Sequence, residues 1–145
     1  MNLGDLTDRM SSVSSNNYDT SVRLMIECLQ VIPFQLPKVG ISGIELARRY
    51  WNDGSASTSK FDLEQARVAC WNYLDERSAS TNTEQPDYCA MRAVISVLYP
   101  DPPSDDIGEL LFFFNQMLQG ALSGQSESEC CDNVNSVVDE FAHHT

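Results

Sequence analysis

Apolar residues recur along the chain at spacings of three and four, which is the pattern of α-helices that bury one face. Six segments carry this pattern: residues 22–32, 42–51, 60–74, 84–98, 104–122 and 134–141. No segment alternates apolar and polar residues as a half-buried strand does, and no Asn-Gly or Asp-Gly turn joins two apolar runs. The pattern therefore predicts an all-α fold, a single-domain bundle of six or seven helices over residues 1–145.

Capping and breaking residues predict where these helices begin and end. Ser42 and Glu45 have the S-x-x-E spacing of a capping box. The other starts are expected at Asp19 or Thr20, Ser59, Thr83 and Ser104, and the stops at Pro33, Asp53-Gly54, Pro100 and Gly124. Residues 55–59 form a polar loop in this prediction. Phe112 and Phe113 widen the apolar face of the helix after Ser104, so we expect that helix at the centre of the bundle.

The charge is distributed unevenly along the chain. The 145 residues have a formal net charge of −12, and nine of the 21 Asp and Glu residues follow Arg92, whereas none of the nine Lys and Arg residues does. An acidic protein repels nucleic acid and anionic lipid, and it attracts basic proteins at long range. The sequence therefore predicts a partner with a basic surface, no binding to nucleic acid and no binding to membranes.

One basic and aromatic cluster superficially contradicts this prediction. Arg48 and Arg49 are followed by Tyr50 and Trp51, a combination that nucleic-acid-binding surfaces also use. The strongly negative body around them would repel a polyanion. We expect these arginines to pair with local acids such as Glu45 or to lie along aromatic faces.

The sequence favours a cytoplasmic location. Residues 1–10 include Asp5, Asp8 and Arg9 and lack the apolar run of a secretory signal. The longest apolar block, residues 110–114, is far shorter than the roughly 20 residues that cross a bilayer. The odd number of cysteines and the absence of a C-x-x-C pair are typical of core residues in a reducing compartment: Cys28, Cys70, Cys89, Cys130 and Cys131.

Two groups of residues contain metal-binding side chains, and neither has the spacing that a metal site requires. Cys130 and Cys131 are adjacent, so they point about 100° apart on a helix, and His143 and His144 follow only near the chain end. In the other group, residues 101–106, a proline pair occupies the positions where a calcium loop needs ligands. Acids at a helix start are also expected because they complement the helix dipole. We therefore predict no metal and no cofactor.

Catalytic motifs are absent from the sequence. There is no G-x-S-x-G, no phosphate-binding loop and no G-x-G-x-x-G. His143 and His144, the two histidines, lie near the end of the chain, where a general base is hard to hold rigidly. We therefore predict that the protein is not an enzyme. The remaining enzymatic alternative is a pair of carboxylates that distant helices bring into one cleft.

One local resemblance adds to this interpretation. The segment Glu45-Leu-Ala-Arg-Arg-Tyr-Trp-Asn-Asp-Gly54, followed by Leu63-Glu-Gln-Ala-Arg-Val-Ala-Cys-Trp71, resembles a helix–glycine–polar loop–helix pattern. This pattern occurs in small helical immunity proteins of bacterial polymorphic toxin systems, and the likeness covers about residues 45–74. The resemblance implies a cytoplasmic bacterial protein without catalytic residues that binds and neutralises a cognate toxin.

Charge and resemblance together predict an immunity protein that occludes the active site of a toxin or secreted effector with an acidic surface. The candidate partner-binding residues are Tyr99, Asp101, Asp105, Asp106, Glu109, Glu127, Glu129 and Asp132. Tyr99 is the expected aromatic anchor because binding hot spots favour Tyr, Trp and Arg. The alternative is an adaptor or secretion chaperone that binds its partner through the apolar helix face around residues 112–114. Homodimerisation through such a face stays open.

Overall fold

The computed structural model describes residues 1–53 and 58–144, and these residues form seven α-helices, one short 3-10 helix and no strand. The α-helices are α1 (Leu3–Ser14), α2 (Tyr18–Cys28), α3 (Lys38–Asp53), α4 (Lys60–Glu76), α5 (Pro86–Ile95), α6 (Ile107–Ala121) and α7 (Glu127–His143). The 3-10 helix, Leu29–Val31, extends α2 by one turn. The predicted all-α bundle is therefore confirmed, and no helix among these residues is long and apolar enough to cross a bilayer.

The first helix, α1, was absent from the predicted set. Its buried face consists of Leu3, Leu6 and Met10, with Val13 half-buried on the same stripe. Asn2 caps the helix, since its side chain accepts a hydrogen bond from the backbone N–H of Asp5 at 2.8 Å. A short apolar stripe with a good cap is therefore enough to form this helix once the other helices cover it.

Two helix starts differ from the predicted ones by two or three residues. The N-cap of α2 is Asn17 instead of Asp19 or Thr20, and the side chain of Asn17 accepts from the Thr20 N–H at 3.0 Å. The N-cap of α6 is Asp106 instead of Ser104, whose hydroxyl accepts from the Asp106 N–H in the preceding turn. Several residues suited to capping lie side by side here, so composition alone does not select among them.

Two other predicted starts were wrong because proline sets the beginning of the helix. α3 begins at Lys38 directly after Pro37, so Ser42 lies inside the helix and forms no capping box. α5 begins with Pro86 in its first turn, and Thr83 lies outside it. The predicted cap at Ser59 is confirmed, and α3 continues to Asp53, the last described residue before the gap. The predicted stop at residue 54 and most of the polar loop, residues 55–57, lie outside the described residues.

Helix α6 lies at the centre of the bundle, as its apolar pattern predicts. It packs against α1, α2, α5 and α7, while α3 and α4 pack against each other and reach the rest of the bundle through α2 and α5. The contact between α5 and α6 is especially close at Gly120, where an added Cβ would lie 2.5 Å from the Cys89 sulfur. A larger residue at this position would therefore push the two helices apart.

All five cysteines are buried, as predicted, and none forms a disulfide. Burial raises the pKa of Cys70 from its usual value of about 9 to about 11, and burial, together with Cys131 and Glu127, raises that of Cys130 to about 11. The thiols are therefore protonated parts of the core at neutral pH.

The raised thiol pKa values predict a loss of stability in alkali. Between pH 9 and pH 11 the unfolded thiols ionise while the folded ones hold their protons, so the stabilisation is complete below pH 9 and is lost as the pH rises toward 11. We expect a loss on the order of 2 kcal/mol per thiol. Urea unfolding under reducing conditions at several pH values measures it. Cys130→Ala should make the slope of stability against pH shallower, and an unchanged slope would contradict the assignment.

Candidate partner-binding site

The segment that joins α5 to α6, residues 96–106, turns sharply at three prolines. Contacts of Tyr99 with neighbouring helices hold this segment in place. The hydroxyl of Tyr18 donates to the backbone carbonyl oxygen of Tyr99 at 2.7 Å. The guanidinium of Arg67 lies over the Tyr99 ring, 4.3 Å from its centroid. Burial, followed by the nearby Tyr99, Asp101 and Asp19, raises the pKa of Tyr18, so its hydroxyl remains a donor. Helices α2 and α4 thus fix the position of this turn.

A small cavity, called here the aromatic cavity, opens beside this turn between α2, α4, α5 and α6. Its volume is about 170 Å³. The lining residues are mostly aromatic and aliphatic: Tyr18, Met25, Trp71, Arg92, Ile95, Ser96, Tyr99, Pro103, Leu110 and Phe113. No carboxylate is among them. The sequence predicts that Tyr99 belongs to a binding surface. In the structure, Tyr99 also lines a cavity together with residues from four helices.

Arg92 is the charged residue of the cavity lining, and its guanidinium is already hydrogen-bonded. Arg92 is only 5% exposed, and its guanidinium donates to the carbonyl oxygen of Ala79 at 2.8 Å and to those of Ser80, Asn82 and Tyr88. Burial lowers the pKa of Arg92, which nevertheless stays charged because free arginine titrates above about pH 12. The guanidinium therefore fastens residues 79–82 to α5, and it has few donors left for a ligand.

Carboxylates lie along the turn outside the cavity. Asp101, Asp105, Asp106 and Glu109 are all exposed. Asp101 pairs with Lys60 at 3.5 Å, and both side chains are mostly exposed, so the pair is weak. Asp106 caps α6 by accepting from the Glu109 N–H at 3.1 Å. We call these four acids the turn acids. The structure brings them together with Tyr99 at one end of α6.

The other predicted acids, Glu127, Glu129 and Asp132, lie at the opposite end. They follow the far end of α6, whose 15 residues span about 22 Å. Two of them have structural roles: Glu127 accepts from the Leu3 N–H at 2.9 Å, and Glu129 forms a capping box with Ser126. The eight predicted residues therefore divide into two surfaces, and only the first adjoins the aromatic cavity.

The remaining candidates from the sequence occupy separate places. Cys130 and Cys131 are buried at the start of α7, whereas His143 and His144 are exposed about 18 Å further along it. Within residues 1–53 and 58–144, no three His, Cys, Asp or Glu side chains converge as metal ligands. Arg48 pairs with Glu27 of α2 at 3.0 Å instead of the predicted Glu45.

A wider polar groove lies between α2 and the end of α7. It brings Glu27, Glu140 and His144 to one depression with a volume of about 740 Å³. The ion pair with Arg48 engages Glu27, and both Glu140 and His144 are exposed. In their exposure and pairing, these groups are typical of a polar protein surface and not of a reaction site shielded from water.

Comparisons of the chain with protein-family models, with curated proteins and with solved structures gave no significant match. The candidate site therefore rests on its own geometry. Sequence reasoning missed Tyr18, Trp71 and Phe113 as parts of it. The sequence does contain a signal for Phe113, which lies next to the apolar face of a strongly periodic helix. Periodicity does not show which helices pack against one another, so it could not bring the three residues together.

Proposed function

We propose that this protein is an immunity protein, which binds a bacterial toxin or secreted effector and neutralises it by covering the active site. The observation that carries the proposal is the apposition of the turn acids and the aromatic cavity at one end of α6. Interfaces of this kind combine an apolar centre with a charged rim that selects the partner. The local resemblance to immunity proteins over residues 45–74 supports the same function.

Electrostatics favours a basic partner at this surface. Of the four turn acids, Asp101 has an ion pair among the described residues, and that pair is exposed and weak. The negative field can therefore steer a positive surface toward the cavity. Toxins that act on nucleic acids or nucleotides need positive active sites, so an acidic cover would compete directly with their substrates.

Neutralising the turn acids should weaken capture of the partner. In the triple variant Asp101→Asn, Asp105→Asn and Asp106→Asn, the Asn at position 106 still caps α6, so the fold should be retained. We expect affinity for the captured toxin to fall about tenfold at physiological salt, with a shallower salt dependence, mainly through slower association. Calorimetry and association kinetics on the toxin, identified by pull-down from native lysate, measure both.

The matched control is Asp132→Asn, which removes an exposed acid at the opposite end of the bundle. It should leave affinity unchanged. A larger loss from Asp132→Asn than from the triple variant would move the interface to the start of α7. Failure of the purified protein to bind or inhibit any toxin encoded nearby, at micromolar concentration, would reject the immunity function.

A second candidate function is an adaptor or secretion chaperone, and one observation favours it. Phe112 and Phe113 on α6 are 37% and 44% exposed. Large exposed aromatics on neighbouring positions are a surface on which a partner's apolar face can pack. This function predicts capture of several apolar clients that survive high salt, whereas an immunity protein should retain one salt-sensitive basic partner.

A further inference from the structure

Charged residues of both signs lie in or next to the aromatic cavity. Arg92, which is buried, is one of the lining residues, and Arg67 covers one face of the Tyr99 ring, which also lines the cavity. Most of the other lining residues are aromatic or aliphatic. Asp101 stands within the turn that forms its edge, between Tyr99 and Pro103, which both line the cavity. The cavity lining thus contains one cationic residue and no carboxylate, while the adjoining turn contains Asp101.

The size of the cavity limits what can enter. A cavity of about 150 Å³ with apolar walls stays dry and accepts one benzene ring. At about 170 Å³, the aromatic cavity has room for one ring or one branched aliphatic side chain, and for little more. It is too small for a nucleotide, a cofactor or a helix, which need several hundred Å³. The occupant is therefore a single group.

The chemistry of the walls decides which group it is. A lysine or arginine head would meet Arg92, which lines the cavity, and like charges at such range repel. An anionic head would find the Arg92 donors engaged by four carbonyl oxygens. An uncharged aromatic ring meets neither penalty, and the rings of Trp71 and Phe113 offer it edge-to-face and stacked contacts.

We propose that the aromatic cavity is a socket for one aromatic side chain of the partner, carried on a segment whose flanking residues are lysine or arginine. The aromatic ring fills the cavity while the flanking cations lie against the turn acids. This inference deepens the proposed function and rests on it for the identity of the partner, but the socket itself can be examined without any toxin.

The first experiment uses toluene as the ring alone. Titration into the ¹⁵N-labelled protein should shift the indole N–H signal of Trp71, which lines the cavity. The Trp51 signal should move little, because that indole donates to the carbonyl oxygen of Val97 and is not a lining group. Saturable shifts at millimolar toluene are the expected result. No saturable shift of the Trp71 signal would overturn the socket.

A cavity-filling variant and a matched control make the experiment specific. Ser96 lines the cavity, and its hydroxyl donates to the Arg92 carbonyl four residues earlier. Ser136 makes the same type of bond to Asp132 on the exposed side of α7. Ser96→Leu should fill the cavity and abolish the toluene shifts, whereas Ser136→Leu should leave them intact. Equal toluene binding by both variants would overturn the proposal.

The second experiment adds the flanking charge. Three capped pentapeptides are compared by fluorescence or calorimetry: Lys-Lys-Phe-Lys-Lys, Lys-Lys-Ala-Lys-Lys and Glu-Glu-Phe-Glu-Glu. We expect the first to bind about tenfold more tightly than either of the others, because burial of the ring and pairing with the turn acids each contribute. Equal affinity for the Phe and Ala peptides would show that the cavity does not bind the ring. Equal affinity for the Lys and Glu peptides that contain Phe would show that the turn acids do not select flanking cations.

The socket and the immunity function can fail separately. A toxin that binds wild-type protein and Ser96→Leu with equal affinity would overturn the socket and leave the immunity function standing. If the protein binds the peptide and toluene but no toxin, the socket would stand and the immunity function would be overturned. If the occupant is a second copy of this chain, a dimer should form that Ser96→Leu and toluene both disrupt, and that result would overturn the basic segment as the occupant.

Discussion

Phe114→Ala should lower the free energy of unfolding by about 4 kcal/mol, the largest effect expected from a single substitution in α6. Phe114 is fully buried in the main core, where α6 meets its neighbours. Removing the ring loses its transfer free energy and leaves a cavity that the surrounding helices can close only in part. Urea unfolding followed by circular dichroism measures the change.

The two preceding residues provide the controls. Phe112→Ala and Phe113→Ala remove rings that are 37% and 44% exposed, so each should cost less than about 1 kcal/mol. Only Phe113 lines the aromatic cavity, so only Phe113→Ala should also weaken binding of the Phe pentapeptide. Equal destabilisation by all three substitutions would show that α6 is placed differently from the packing described above.

Arg92→Met should lower the free energy of unfolding by about 3 kcal/mol and loosen residues 79–82. Met preserves most of the side-chain volume but has no hydrogen-bond donors, so the carbonyl oxygens of Ser80 and Asn82 lose the guanidinium, and that of Ala79 keeps the backbone N–H of Asn82 as its donor. Ala79 is buried, so water cannot simply take the place of the guanidinium at its carbonyl. Chemical unfolding gives the stability, and hydrogen exchange should show faster exchange around the freed segment.

Two variants separate charge from geometry in this prediction. Arg92→Lys keeps the charge but cannot reach carbonyl oxygens on several sides, so it should recover only part of the stability. Arg49→Met removes an exposed arginine of α3 and should change stability by less than about 0.5 kcal/mol. Full stability in Arg92→Lys would mean that a single contact holds the segment.

Strong periodicity explains why most of the fold could be predicted. The apolar stripes of α2 through α7 are long enough to be recognised, and breakers such as Pro100 separate them. The N-terminal helix is absent from the predicted helices because its apolar stripe is short, although Leu3, Leu6 and Met10 have helical spacing. Helix starts were less predictable, since prolines at residues 37 and 86 took precedence over nearby capping residues.

The candidate site was only partly predictable for a different reason. Tyr99 and the turn acids are neighbours in sequence, so composition alone indicates a common surface. The cavity beside them also needs Tyr18 from α2 and Trp71 from α4, residues that become neighbours only when the helices pack. Periodicity shows which face of a helix is buried, but it does not show which helix covers it.

The contacts of α1 with the later helices determine when the helical bundle can finish folding during synthesis. The Leu3 amide binds Glu127, Thr7 binds Asn115 and Arg9 pairs with Asp139, partners that are 124, 108 and 130 residues downstream. A ribosome adds about 5–20 residues per second, so α1 waits roughly 5–25 seconds for these partners to be made. During that interval its apolar stripe is open to chaperones and to other nascent chains. Closure of the bundle around α1 therefore has to follow the synthesis of α7, however quickly the individual helices form.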